Sequence, residues 1–187
     1  MIYRSILIVF FIMHVSGAIS QNSIDSLGRK QGIWIVNIQY DSITELRNVF
    51  VQCEFKNDTL NGIYRVFDEN EILRYEAFFF EGNRNGLGYI YDSDFNVRRV
   101  YTYYNDEVIS LIYFDERNRL IETRGFMNKE WIGINSIFHS NGKMMRRSIF
   151  VGGKRNGRET IFNRKGKIRT IFEYSDDIFN GKIVSVE

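Results

Sequence analysis

The 187-residue sequence has no proline. Every chain reversal must therefore come from Gly, Asn and Asp, which tolerate φ > 0 or bond their own backbone. Cysteine is nearly absent: Cys53 alone excludes an internal disulfide framework. The histidines are His14 and His139. One His and one Cys downstream of the leader do not make a His/Cys zinc site. Neither sign of charge dominates, with 25 Lys+Arg against 23 Asp+Glu. That balance argues against a strongly basic nucleic-acid binder, and no nucleic-acid partner is expected. The chain also lacks a GxGxxG turn, a Walker loop, an HExxH pair and a GxSxG elbow. No metal, no cofactor and no catalytic residue is expected, and the chain reads as a non-enzyme.

What is present is an address and a period. Residues 1–20 carry Arg4, then the apolar run Ile6 to Met13, then the small residues Ser16, Gly17, Ala18 and Ser20. This is the three-part pattern of a secretory signal peptide. The apolar run is shorter than the roughly 20 residues of a membrane span. Cleavage is expected before Gln21, giving a secreted or periplasmic protein.

Beyond the leader, glycines that open apolar stretches recur at Gly32, Gly62, Gly86, Gly133, Gly157 and Gly181. The spacing is 24, apart from an insertion in the first unit and a stretch of 47 between Gly86 and Gly133. That stretch is one 23-residue and one 24-residue unit, with Ile109 where glycine is missing. Two aromatic columns run in register. The fifth residue after each anchor is Phe67, Tyr91, Phe114, Phe138 and Phe162. The seventeenth is Phe79, Tyr103, Phe126, Phe150 and Tyr174. Each unit thus falls into two halves, and the repeat domain covers residues 21–187 with units opening near 32, 62, 86, 109, 133, 157 and 181.

Phe, Tyr, Ile and Val dominate runs of strand length, bounded by turn signals such as Asn141-Gly142, Lys165-Gly166 and Asp68-Glu69-Asn70. The predicted fold is all-β: an antiparallel β-meander of stacked ~24-residue hairpin repeats forming an elongated, curved sheet. Its turns are expected to be two-residue hairpin turns. Its anchor glycines are expected at the turn-to-strand junctions, and its aromatic columns are expected to stack ring on ring between units. Alternation is partial, as in Ile63 to Phe67, so one face should be tighter than the other. The insertion between Tyr40 and Val51 is expected to cap one end. Segment Ala77 to Phe80 is strongly β-prone, with Glu76, Glu81 and Arg84 as flanking gatekeepers.

The Gly-aromatic hairpin unit, with turns of the type Asn141-Gly142-Lys143-Met144, resembles the MORN-repeat-variant family, whose bacterial members are often labelled YwqK-type antitoxin-like proteins. The resemblance runs from about Leu27 to the C-terminus. Its best matches are NGIYRVFDENEIL, IFHSNGKM and GKRNGRETIFNRKGKI. It implies a sheet of stacked hairpins used for contact with partners, with an antitoxin-like or immunity role as one form of that contact.

The functional expectation is an exported protein-binding or scaffolding module with an unidentified protein partner. Tyr64, Tyr89, Arg99 and Tyr101 lie outside the aromatic columns and are the expected solvent-facing contacts, since Tyr and Arg concentrate at binding hot spots. The alternative is association with an anionic lipid or glycan surface. Its carriers would be the basic pairs Arg146-Arg147, Lys154-Arg155 and Arg164-Lys165, with Arg158, Lys167 and Arg169. Asp68-Glu69, Asp115-Glu116 and Asp176-Asp177 are read as solvated turn acids, which do not acquire the raised pKa of a general acid. His139 is read as a solvated turn residue, and Cys53 as a buried strand thiol, with an intermolecular disulfide left open.

Overall fold

The computed structural model describes residues 21–42 and 44–185. The predicted signal peptide lies outside them. The described chain is all-β, one open antiparallel meander with strand following strand. The strands are β1 (Ser23–Ile24), β2 (Lys30–Tyr40), β3 (Arg47–Lys56), β4 (Thr59–Phe67), β5 (Leu73–Phe80), β6 (Asn83–Tyr91), β7 (Val97–Tyr104) and β8 (Glu107–Phe114). They continue with β9 (Leu120–Met127), β10 (Glu130–Phe138), β11 (Met144–Val151), β12 (Lys154–Arg155), β13 (Gly157–Phe162), β14 (Ile168–Ser175) and β15 (Ile178–Ser185). At ~4.8 Å per strand the sheet extends on the order of 60 Å, about twice the length of one of its strands.

The two halves of a unit end in different turns. On one edge the turns have two residues, both with positive φ: Asn57-Asp58, Glu81-Gly82, Asn105-Asp106, Asn128-Lys129, Gly152-Gly153 and Asp176-Asp177. These are type I′ turns, whose twist matches that of the flanking strands. On the other edge the turns are longer. The N–H of Asp68 bonds the carbonyl of Ile72, the N–H of Glu71 bonds the carbonyl of Asp68, and the Asp68 carboxylate accepts the N–H groups of Asn70 and Ile72. The same pattern recurs at Asp92, Asp115 and Asn163, and its backbone part at His139. The expectation of two-residue turns at Asp68, Asn141 and Lys165 is therefore corrected. An Asx side chain opens the turn, and the fourth residue takes the left-handed conformation that lets the strand re-enter with a bulge.

That fourth residue is Gly142 or Gly166 in two units, but Glu71, Phe95 and Asn118 in the others, at φ +63, +62 and +55. Glu71→Gly should raise stability by about 0.5–1 kcal/mol: relief of a ~1–2 kcal/mol left-handed cost, less the chain entropy of glycine. Phe95→Gly is expected to gain less, because Phe95 stacks on Tyr91 at 4.9 Å. Urea denaturation of both variants measures the difference.

Anchor glycines do not sit at the turn junctions. Gly62, Gly86 and Gly133 lie inside β4, β6 and β10, where the ladder to the preceding strand skips residues, as between Cys53 and Phe55 opposite β4. Each faces a seventeenth-column aromatic on the next strand: Gly62 opposite Phe79, Gly86 opposite Tyr103, Gly133 opposite Phe150, Gly157 opposite Tyr174. The columns do not stack ring on ring either. Equivalent residues of successive units are two strands, about 9–10 Å, apart, beyond the ~4.5–7 Å of ring contact. Fifth-column residues sit instead at the turn-proximal bulges, with register shifts at Phe67, Tyr91, Phe114, Phe138 and Phe162. At Gly181 the next bulge opposes Glu173 and Tyr174.

Burial is concentrated on one face at the N-terminal end. Val49, Val51, Cys53, Val66, Tyr75, Ala77 and Phe79 form the core, and Trp34, Val36, Ile38, Leu46, Phe55, Tyr64 and Ile90 pack on it. β5 alternates cleanly, with Ala77 and Phe79 buried and Phe78 and Phe80 exposed. The first-unit insertion covers this face rather than closing an end. It lengthens β2 and β3 beyond their successors, and Leu46 in the connection lies on the core while Thr44 and Glu45 border a recess shared with Ile90 and Arg99. The Cys53 thiol is buried and free, and burial raises its pKa. A disulfide-forming reagent should therefore label it only at the rate of unfolding, a kinetic trace that mixing with excess reagent records.

Candidate binding surface on the core face

One cross-strand row shows how the core face changes along the molecule. From β3 to β11 it reads Val51, Val66, Tyr75, Ile90, Arg99, Tyr113, Glu122, Ile137 and Arg146. It is apolar or aromatic through Ile90 and mostly charged or aromatic from Arg99 on. The covering insertion reaches only as far as Arg99, so the polar part of the face lies open.

On that open part, cations lie over rings. The Arg99 and Arg124 guanidiniums are 5.3 and 5.5 Å from the Tyr113 ring centroid, and Arg124 is 4.6 Å from that of Trp131. Arg84 covers Tyr103 at 4.5 Å and Arg155 covers Tyr174 at 4.0 Å. These last two pairs are fixed from the next type I′ turn. Asp106 accepts the N–H and Nε–H of Arg84, and Asp177 does the same for Arg155. A cation over an aromatic face contributes about 0.5–1 kcal/mol when exposed. The sequence carries a signal for this arrangement, a cation two residues before the anchor glycine: Arg84-Asn85-Gly86, Arg155-Asn156-Gly157 and Lys30-Gln31-Gly32. Lys30 accordingly sits over Trp34 and Phe55.

The four residues expected to face a partner do not form one surface. Tyr64 is an interior residue: it packs edge-on to Tyr75 and against Phe79, and burial pushes its phenol up to about 12. This corrects its assignment as a solvent-facing contact, because its strand position points it at the core. Arg99 is exposed and Tyr101 half-buried on the core face, Tyr101 against Tyr103. Tyr89 pairs with Glu76 and Val100, one residue out of phase with Tyr75 and Arg99, and so lies on the opposite face, stacked on Tyr91.

Beside Trp131 the open face holds a cavity of about 260 Å³. It is lined by the apolar Trp131, Ile137 and Phe150 and by the polar Glu122, Asn135, Arg146, Ser148, Arg155 and Glu159. The Ser148 hydroxyl donates to the Glu159 carboxylate at 2.6 Å, both residues buried, and Arg146 stands 4.0 Å from Glu159. Glu122 is held by two Arg124 hydrogen bonds of 2.7 Å. Asn135 is 6% exposed; its Oδ1 accepts the Gly125 N–H at 3.2 Å, and its Nδ2 has no partner. Arg146 and Arg155 belong to the expected basic patch and Phe150 to the seventeenth column; nothing in the sequence spacing marks the other lining residues as a site. Among the described residues no group of His, Cys, Asp and Glu is arranged to hold a metal ion.

The long-turn edge is stapled from unit to unit. Arg74 bonds Asp68 and the Tyr91 carbonyl; Arg98 bonds Asp92 and the carbonyl of Asp115; Arg119 bonds Asp115 and the Ser140 carbonyl. His139 takes the Asp position and is half-buried, with Nε2 3.1 Å from the Phe162 carbonyl, so it is not a solvated turn residue. Asp68 is also buried, which corrects its reading as a solvated acid. Burial pulls its pKa up, but the backbone N–H groups of Ile72 and Asn70 and the Arg74 side chain outweigh that and hold it below the ordinary value. The Arg119 side chain and backbone hold Asp115 down to about 2. Carboxylates depressed in the fold stabilise it above their unfolded value of 3.8, and that stabilisation disappears as pH falls toward about 2. Tm should be flat above pH ~5 and fall between pH ~4 and ~2, with a shallower fall in Asp115→Asn, measured by circular dichroism.

The expected basic patch is dispersed. Arg146 and Arg147 are neighbours in β11 and so point to opposite faces, Arg155 pairs with Asp177, Arg158 with Glu173, and Arg164 and Lys165 lie in a turn of the long-turn edge.

No protein-family model matches the chain, and no curated protein matches it. Among solved structures, a variant of S. aureus TarM in complex with fondaparinux, alpha-GlcNAc-glycerol and UDP aligns with a TM-score of 0.38 and 14% identity. The alignment covers 51% of this chain and 19% of that one, so this chain spans under a fifth of its length. A likeness this partial carries no argument about fold or function.

Proposed function

We propose that the chain is an exported, non-catalytic repeat protein of the MORN-variant kind, and that it binds a protein partner through the open part of its core face. The observation that supports this reading is the change in that face at Arg99, from covered apolar core to an uncovered run of Tyr, Trp and Arg. These residue types dominate protein-binding hot spots because large, stiff side chains lose little entropy on docking. A guanidinium already seated on a ring, as Arg99 and Arg124 are on Tyr113, is held in place before a partner arrives.

The test is capture with residues 21–187 from the envelope and secreted fractions of the source, repeated with Tyr113→Ala. One saturable protein partner is expected to be retained in roughly 0.5 M NaCl, where screening is a few Å, and to bind at least tenfold more weakly to the variant. Binding only to anionic lipid or glycan, lost in salt and indifferent to Tyr113, would instead favour surface association. Dispersal of the C-terminal cations over both faces and an edge counts against that second reading.

A further inference from the structure

We propose that the cavity beside Trp131 is a binding site for a carbohydrate, taking one neutral sugar ring. This goes beyond the proposed protein interaction and does not depend on it.

The charges at the cavity are already balanced. Glu122 is paired with Arg124, Arg155 with Asp177, and Glu159 with Ser148 and, at longer range, Arg146. An ionic ligand would meet no unpaired opposite charge, so the site favours an uncharged one. The polar lining residues nonetheless have open hydrogen-bonding capacity. A carboxylate offers about four acceptor positions, a guanidinium five donors, and an amide two donors. Asn135 leaves its whole Nδ2 group without a partner although the residue is nine-tenths buried. A buried amide left unsatisfied is costly, and a ligand acceptor relieves that cost.

The matching ligand carries acceptors and donors close together, as adjacent hydroxyl groups do, each being both. It also has apolar surface to meet the Trp131, Ile137 and Phe150 side chains of the lining, which the C–H faces of a pyranose ring supply. The volume, about 260 Å³, lies just below the usual range for ligand pockets and suits one ring with its neighbour outside. Neither a peptide charge nor a phosphate meets these conditions, since each brings an ion to a balanced site.

The indoles of residues 21–187 are Trp34 and Trp131, so Trp34→Phe makes fluorescence report the cavity alone. That protein is titrated with glucose, N-acetylglucosamine, cellobiose and maltose, and separately with inorganic phosphate. At least one sugar is expected to give a saturable change with Kd on the order of 1 mM, unaltered by 0.5 M NaCl. A disaccharide binding more tightly than its monosaccharide would identify a glycan chain as the natural source; equal affinity would identify a free sugar. Asn135→Leu should weaken binding at least tenfold. Arg146→Met, altering a more exposed side chain, should weaken it too, and it decides the matter if Asn135→Leu does not fold. Circular dichroism verifies folding in each. Absence of a saturable change up to on the order of 100 mM of every sugar overturns the proposal. So does a response to phosphate alone, or an affinity that neither folded variant alters.

Discussion

Tyr75→Ala should cost about 3–5 kcal/mol, as removal of a fully enclosed aromatic ring does, whereas Tyr75→Phe should cost nothing and gain up to about 1 kcal/mol. Tyr75 is 0% exposed and stands between Val66 and Ile90 at the centre of the apolar part of the core face. Its ring belongs to the core cluster on which Leu46 of the insertion packs. Its hydroxyl, however, has no partner in hydrogen-bonding geometry, although Tyr103 and Arg84 are close enough to interact with it. Burial accordingly holds its phenol pKa far above the ordinary 10, so it stays neutral at every pH at which the protein is handled. The alanine variant loses the contacts of the ring and leaves a cavity, while the phenylalanine variant removes only the unsatisfied oxygen. Urea denaturation of the two proteins gives both numbers. A Tyr75→Phe loss exceeding about 1 kcal/mol would show that the hydroxyl is bonded after all, through a water between it and Tyr103 or Arg84.

Tyr75 also marks the limit of what could be read from the chain. The strand character, the meander and the 24-residue period follow from local composition and spacing, and the structure has them. Which aromatic is buried does not. Tyr64, Tyr75 and Tyr101 look alike in sequence, yet the first two pack in the core and the third lies on the open half of the same face. The difference comes from the insertion folding over the first hairpins, a contact between segments that no local pattern encodes. The two turn types were missed for another reason. Asp68, Asp92 and Asp115 and the asparagines at Asn57 and Asn105 all tolerate positive φ, so residue type alone does not distinguish a two-residue reversal from a five-residue one. The distinguishing mark was present in the Arg six or four residues after the Asp, Arg74, Arg98 and Arg119, which staples one long turn to the next.

The polar cavity was illegible for a similar reason. Glu122, Asn135, Ser148 and Glu159 come from four strands and meet only through the register of β9, β10, β11 and β13. A shift of one residue in any of those pairings would send the side chain to the other face. The bulges that set the register therefore shape the cavity as well as the fold.

Those bulges supply the second large prediction. In β4, β6 and β10, two extra residues oppose the preceding strand at the bulge, and the anchor glycine adopts positive φ there: +135 at Gly62, +90 at Gly86 and +70 at Gly133. β8 has eight residues where those three have nine, and its bulge carries one extra residue. Ile109 in β8 is not among the residues with positive φ. The short 23-residue unit and its missing glycine are thus one event: with one residue fewer, the strand turns its bulge without entering the left-handed region. Gly86→Ala should cost about 1–2 kcal/mol from backbone strain alone, since nothing lies within 4 Å of the added Cβ. Gly62→Ala should cost more, about 2–5 kcal/mol, because its Cβ would stand 2.8 Å from the Cβ of Glu54 and 2.0 Å from its Oε2. Adding Glu54→Ala, which clears the carboxylate and leaves the Cβ contact, should return part of that difference in a double-mutant cycle. Ile109→Gly should destabilise by about 0.5–1 kcal/mol, the opposite of what a consensus of the other units recommends. If Ile109→Gly stabilises the protein, β8 is held in strain for want of a glycine, and the shorter unit has not solved the bulge by dropping a residue.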